Sequence, residues 1–544
     1  MGEKKRRAAA AVAGKGSEGA ALAHARRAQS LAAQSAFGPA LGEMVTALET
    51  APHLDDLWAQ FSALVRFFNF RHPTDSRLRA VLARALDHPA VDPGDLVRPI
   101  SSLALSRPES ETLDEPLLLR LMQDSVLRDA HLEDIIATTR RAALLGKEMP
   151  LETMVAIAHQ CFNTEYLLAQ TAQEADAVER LKARLAEHGD LHGYATYAAY
   201  RPLHTLDRAD ALAHQLADTP LAELARRQVA EPSEERRLRG TIGTLGSESG
   251  AVSAAVRAQY EENPYPRWIR TQTSFSAAPL AQIARELFPA ADVRAIDLPT
   301  RILVAGCGTG QNAIATARRF ADCSVLAIDL SLASLAYAKR KTQELGISNI
   351  EYRQADLLAP GELSERFHFV ESSGVLHHLE DPLRGWRVLT ELVNPGGFMR
   401  IGLYSEAGRR HIAHARKFIA ERGFDATADG IRRCRAAIRA RGEDEMLAKV
   451  TRNEDFYSLS GCRDLLFHVQ EHRFDLPQIG EMLGKLGLRF LGFEFPDNGI
   501  TAARYRDEFP RDPSMTDLDG WHRFEQQHPD SFARMYQFWA WKPA

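Results

Sequence analysis

Residues 304–310 read VAGCGTG, a glycine spacing that lets a backbone turn come close to a ligand. A side chain at Gly306, Gly308 or Gly310 would hold the chain away. A helix pattern follows, and its free N–H groups and positive dipole end would face whatever the turn holds. The dinucleotide fingerprint needs its third glycine where Gln311 stands, so a pyrophosphate-bearing cofactor fits this turn poorly.

Asp329 closes the next β-like run, about 20 positions on, where a carboxylate can accept hydrogen bonds from both hydroxyls of a ribose. Its alternative role is to cap a helix starting near Ser331. Asp356 closes the run after that. It could accept from an adenine amine while Leu357 packs on the ring, or it could be a turn residue. A fourth run enters Glu371-Ser372-Ser373-Gly374-Val375-Leu376-His377-His378-Leu379. His377 and His378 are candidate bases, with a structural role beside the ligand as the alternative. Tyr260, Tyr265 and Trp268 precede the glycine turn and could cover a cationic centre or simply pack. HVQEH, residues 468–472, matches a zinc motif if helical. A five-residue match in a chain with 19 histidines is expected by chance, so no metal site is expected. His468 and Tyr457 remain candidates for an acceptor site, with Glu471 beside them.

These residues need elements to hold them. RILVAG, SVLAID, IEYRQAD, FHFVESSG and FMRIGLY read as strands, and helix patterns alternate with them. The alternation predicts an α/β fold with a doubly wound, mostly parallel sheet, whose ligands sit at the strands' carboxyl ends. LGLRFLGFEF, ending at Phe495, predicts a late strand that closes the sheet. The aromatics Tyr536, Phe538, Trp539 and Trp541 are expected to pack on it.

Together AGCGTG, AID, QAD and GVLHHLEDP resemble the class I S-adenosylmethionine-dependent methyltransferases of the domain 11/12 type, over about 110 residues. The resemblance implies a Rossmann-like fold and S-adenosyl-L-methionine as cofactor. It implies contacts from Gly306, Cys307, Gly308, Thr309, Gly310, Gln311, Asp329, Leu330, Asp356, Leu357 and Ser373. One departure stands out: the family usually has Asp or Glu at the position of Val304, which helps hold the cofactor's amino group. Glu262 or Gln311 could substitute. The Asn-Pro-Pro-Tyr type motif of amide and nucleobase N-methyltransferases is missing after the fourth strand.

Upstream, residues 1–35 read as a flexible tail and 36–245 as an all-α domain. Leu54, Leu57, Phe61, Leu64 and Phe68 recur at helical spacing. Further amphipathic stretches cover about 77–86, 115–127, 131–145, 151–171, 174–187 and 207–229, with Pro73 among the breakers. The layout is similar to uncharacterised bacterial proteins that join a tetratricopeptide-like region to a methyltransferase domain, although the repeat's own landmarks are missing. The Gly/Ser/Thr-rich segment 239–253 reads as a linker, and 250–544 as the methyltransferase domain with a C-terminal extension.

A chain of 544 residues with 45% apolar and 26% charged residues has an ordinary globular composition. Its net charge of −5 argues against nucleic acid as a partner. Five scattered cysteines without a CxxC pair argue against a disulfide framework or structural zinc and favour the cytoplasm. No apolar run long enough to span a membrane is present. Residues 409–441 are arginine-rich, which reads as a solvated helix face or an acidic-partner surface. The leading expectation is a methyltransferase whose helical domain recruits a protein or peptide acceptor. The alternatives are a small-molecule enzyme with a homodimerising helical domain, and a cofactor-binding scaffold without catalysis.

Overall fold

The computed structural model describes every residue except 1, 73, 247–249, 273, 275, 276, 290, 360, 362, 364 and 496–498, and no side chain of residues 2–15. The expected breaker at Pro73 and the middle of the expected linker lie outside the described residues. The chain divides into two compact units, residues 1–230 with 268–276, and residues 231–267 with 277–544.

The regular elements of the first unit, among its described residues, are all helices. The expected amphipathic segments appear as Ser76–Asp87, Pro116–Asp124, Ala130–Leu144, Leu151–Asn163 and Ala172–Glu187. The stretch 207–229 breaks into shorter pieces, Ala209–Gln215, Ala222–Ala225 and a π-type turn at Arg226–Ala230. Leu57, Trp58 and Phe61 are fully buried in its core. The expectation of a flexible tail over 1–35 is corrected, because Gly2–Ala33 is a helix. Ala21, Ala25 and Ala28 are buried along it. Their spacing makes a narrow seam of small side chains, and His24 and Arg27 pair with Glu43 on the next helix.

The second unit is built on a mostly parallel sheet. Its strands are β1 (Gly243–Leu245), β2 (Thr300–Ala305), β3 (Cys323–Asp329), β4 (Ile350–Ala355), β5 (Phe367–Ser373), β6 (Val393–Leu403), β7 (Arg489–Phe493) and β8 (Tyr536–Trp541). Their order is β1-β4-β3-β2-β5-β6-β8-β7. β1 through β6 pair in parallel, and β8 runs antiparallel between β6 and β7. The chain winds outward from β2 to β4 and then returns to the other side of β2 with β5. The β2/β5 junction is therefore the switch point, where the carboxyl ends splay and open a crevice.

Three expectations shift here. β1 lies inside the segment read as linker, yet Gly243–Leu245 adds an edge strand to β4. The helix Glu231–Arg239 belongs to the same unit, so the division falls at 230/231 rather than at 245–250. Arg340 anchors that helix, pairing with Glu231 and Glu235. The terminal aromatics form β8 itself instead of merely packing on the sheet; Tyr536, Phe538 and Trp539 are all buried.

Candidate functional site

The glycine turn sits at the end of β2. Gly306, Gly308 and Gly310 have φ of 74°, 51° and 86°, the left-handed region that favours glycine. A Cβ on Gly308 would lie 2.6 Å from the Tyr265 carbonyl oxygen, and one on Gly306 would enter the Val375 side chain. The helix Gln311–Arg319 starts directly after the turn.

Asp329, at the tip of β3, does more than one job. It accepts from the Gly308 N–H at 2.8 Å and from the Ser331 N–H at 2.9 Å, which ties the glycine turn to the start of the next helix. Each carboxylate oxygen keeps a lone pair for a ligand. Burial pushes its pKa upward, against those backbone hydrogen bonds.

A cavity of about 290 Å³ opens over these strand ends. Gly306, Cys307, Gly308, Gln311, Asp329, Leu330, Leu357 and Ser373 line it, as do His378 and Tyr265. Thr309, Gly310 and Asp356 do not. Thr309 donates to the Pro266 carbonyl at 2.6 Å, and Asp356 is buried, accepting from the Leu358 N–H at 2.9 Å as in a turn. Tyr457 is buried away from the cavity and donates to the Thr451 carbonyl. Val304 is buried in the core, and its register partner on β5 is Glu371. Glu371 is held by Thr316 and Arg400 and does not reach the cavity. Glu262 pairs instead with Arg463, while Gln311 stays on the lining.

The far end of the cavity is lined by Tyr260, Tyr265, His378, Tyr404 and Asp464. His378 Nδ1 donates to the Gln470 carbonyl at 2.7 Å, so the proton sits on Nδ1 and Nε2 keeps its lone pair. Burial holds His378 and His377 well below the ordinary imidazole pKa, so both are neutral. His377 is fully buried and stacks on Tyr404 at 3.6 Å, outside the lining.

His468 stacks on His378 at 3.6 Å. Its Nδ1 accepts from the Gln470 N–H at 3.2 Å, which leaves the proton on Nε2. Nε2 faces the Tyr260 hydroxyl at 3.2 Å, and that hydroxyl donates to Asp464 Oδ1 at 2.7 Å. Tyr265 likewise donates to Asp455 at 3.0 Å. Burial raises Asp464 to about 6 and Asp455 to about 7, and lowers His468 to about 4.

HVQEH is not helical: the helix Leu459–Phe467 stops before it. Glu471 is engaged by both Arg409 and Arg416. The arginine-rich stretch is largely paired within its own unit, with Arg435 donating to the Phe456 carbonyl and Arg432 pairing with Asp429. Among the described residues, His378, Asp464 and His468 come close enough together to suit a cation. Metal-bound histidines usually donate their second N–H to a carbonyl or carboxylate. His378 meets that pattern. His468 does not, because its second nitrogen accepts from a backbone N–H.

Asp464, Asp455 and Tyr404 were not legible from the sequence. Asp464 lies one helical turn before His468, and Tyr404 directly follows β6.

Residues 302–397 match a family model described as a methyltransferase domain. This segment is a methyltransferase domain. The glycine turn, the acidic tip of β3 and the sheet are those of the class I, S-adenosylmethionine-dependent kind. The chain is 32% identical over 262 residues to an uncharacterized protein of Synechococcus sp., covering 45% of this chain and 61% of that one. It is 34% identical over 130 residues to a trans-aconitate 2-methyltransferase of Deinococcus radiodurans, covering 23% of this chain and 46% of that one. The chain thus spans less than two thirds of the length of these curated relatives. Among solved structures, PKMT2 from Rickettsia typhi is similar at 15% identity, covering 48% of this chain and 51% of that one, with a TM-score of 0.38.

The residues of the methyltransferase domain fit S-adenosylmethionine. Gly306 and Gly308 bring bare backbone to the cavity wall, where a Cβ would be blocked by Val375 or by the Tyr265 carbonyl. Asp329 offers acceptors to a ribose, and Ala355 and Leu357 offer an apolar wall at the tip of β4. No helix of the described residues is long and apolar enough to cross a membrane.

Proposed function

We propose that this chain transfers a methyl group from S-adenosylmethionine to a small molecule. One observation carries the reading: a single cavity at the switch point joins the glycine turn and Asp329 to the free Nε2 of His378. The cofactor supplies an electrophilic methyl group on a sulfonium. Gly306 and Gly308 admit it, Asp329 holds its ribose hydroxyls, and Leu330 and Leu357 flank its ring. Tyr260, Tyr265 and Tyr404 wall off the far end from water, which favours a desolvated nucleophile. His378 accepts a proton at Nε2 when the acceptor carries one.

The cavity of about 290 Å³ must take the cofactor as well, so the space left at its far end suits a small acceptor better than a peptide segment. A protein acceptor recruited by the helical unit remains the second reading, supported by that unit's size. The full chain, incubated with methyl-labelled S-adenosylmethionine and cell extract, separates the two. Label in the fraction below about 3 kDa supports this proposal, and label confined to protein refutes it.

A further inference from the structure

Among the described residues, the two charged side chains lining the cavity, Asp329 and Asp464, are both acidic, and no lysine or arginine lines it. Asp329 belongs to the ribose end. Asp464 lies at the other end, carried by the helix Leu459–Phe467. Only one of its oxygens is used: Oδ1 accepts from Tyr260, and Oδ2 makes no hydrogen bond among the described residues. Arg409 and Arg416, the cations that act on this carboxylate from outside the cavity lining, hydrogen-bond elsewhere, as does Arg534 near Asp455. Arg409 is bidentate to Glu471 and lies 3.6 Å over the Tyr404 ring. Arg416 donates to the His468 carbonyl and faces Glu471. Arg534 pairs with Glu454.

A buried carboxylate with an open oxygen is costly unless a charged donor meets it. Tyr260 and Tyr265 flank that position, and aromatic faces favour a cation, while the Tyr404 ring is already covered by His377 and Arg409. An anionic acceptor would meet a buried carboxylate and no cation on the described lining. A neutral alcohol would leave the open oxygen of Asp464 without a charged donor.

Resting on the methyltransferase reading, we propose that the acceptor is an amine, bound as its ammonium form against Asp464 within the Tyr260, Tyr265 and Tyr404 wall. The ammonium passes one proton to His378 Nε2, which frees the nitrogen lone pair. That pair forms the new N–CH₃ bond while the S–CH₃ bond breaks, its electrons remaining on sulfur as the thioether of S-adenosylhomocysteine. The methylated nitrogen keeps the positive charge, and the proton on His378 leaves to solvent.

Calorimetry on the full chain saturated with S-adenosylhomocysteine tests this, using benzylamine as probe at pH 7.5 with benzyl alcohol and benzoate as neutral and anionic matches. The expected result is benzylamine binding at least about tenfold tighter than either match. Asp464→Asn should erase that preference while leaving S-adenosylhomocysteine affinity unchanged, which also shows that the variant folds. The inference is overturned if benzylamine does not bind, if either match binds as well, or if the preference survives Asp464→Asn. It is also overturned if S-adenosylhomocysteine displaces benzylamine, or if Asp464→Asn weakens S-adenosylmethionine more than S-adenosylhomocysteine, since the carboxylate would then serve the sulfonium. Should the wild-type chain not bind S-adenosylhomocysteine at all, the cofactor reading itself fails, an outcome distinct from all of these.

Discussion

His378 Nδ1 lies 2.7 Å from the carbonyl oxygen of Gln470, and this one hydrogen bond sets which nitrogen of the ring faces the cavity as an acceptor. Burial keeps the ring neutral at physiological pH. His378→Gln should therefore lower kcat by roughly 10²–10⁴ and leave cofactor affinity intact. Steady-state kinetics with the acceptor recovered from the labelled extract, paired with calorimetry, measures both. The imidazole is held below its ordinary value, so its protonation should cut the rate only well below pH 6.5. An unchanged kcat would make His378 a wall residue.

Asp464 and Asp455 give the fold a pH dependence whose sign is fixed. Their folded values of about 6 and about 7 stand above the ordinary 3.8. The folded state therefore binds these protons more tightly than the unfolded state. Stability from these groups is fullest below about pH 4 and is lost as pH rises through 6 and 7. Thermal melts at pH 5 and pH 8 should show a larger fall in Tm for the wild type than for the Asp455→Asn/Asp464→Asn double variant. Equal falls would mean that neither carboxylate is strained by burial.

Zinc should not copurify in stoichiometric amount. His468 Nδ1 accepts from the Gln470 N–H, and Glu471 is bound by two arginines, so a cation would have to break existing bonds. Elemental analysis of the full chain should find well under one zinc per chain. One zinc per chain, lost in the His468→Ala/His472→Ala variant, would show the opposite.

The glycine-turn end of the cavity was legible in the sequence because it is local. Glycines at fixed spacing impose a turn, strand periodicity places Asp329 at a tip, and both follow from a few consecutive residues. Even there Asp356 separates from its neighbours: Ala355 and Leu357 reach the cavity, whereas Asp356 turns back to the Leu358 N–H. The far end of the cavity was mostly hidden because it is assembled from distant segments. Tyr260 meets Asp464 across 204 positions, and His378 meets Gln470 across 92. His468 drew notice through a motif whose helical premise fails, and its actual partners are Tyr260 and His378. The N-terminal helix escaped notice because alanine seams carry little hydropathy signal. β8 escaped because its aromatics read as packing rather than as a strand between β6 and β7.

Asp329 is the most direct test of the account. It holds the glycine turn through Gly308, and the proposed function gives it the ribose hydroxyls. Calorimetric titration of the full chain with S-adenosylmethionine should show binding that NAD does not compete. Asp329→Ala should weaken it by about 1.5–3 kcal/mol for each charged hydrogen bond lost, roughly ten- to a hundredfold in Kd. Equal binding of NAD, or an affinity unmoved by Asp329→Ala, would contradict the site as built here.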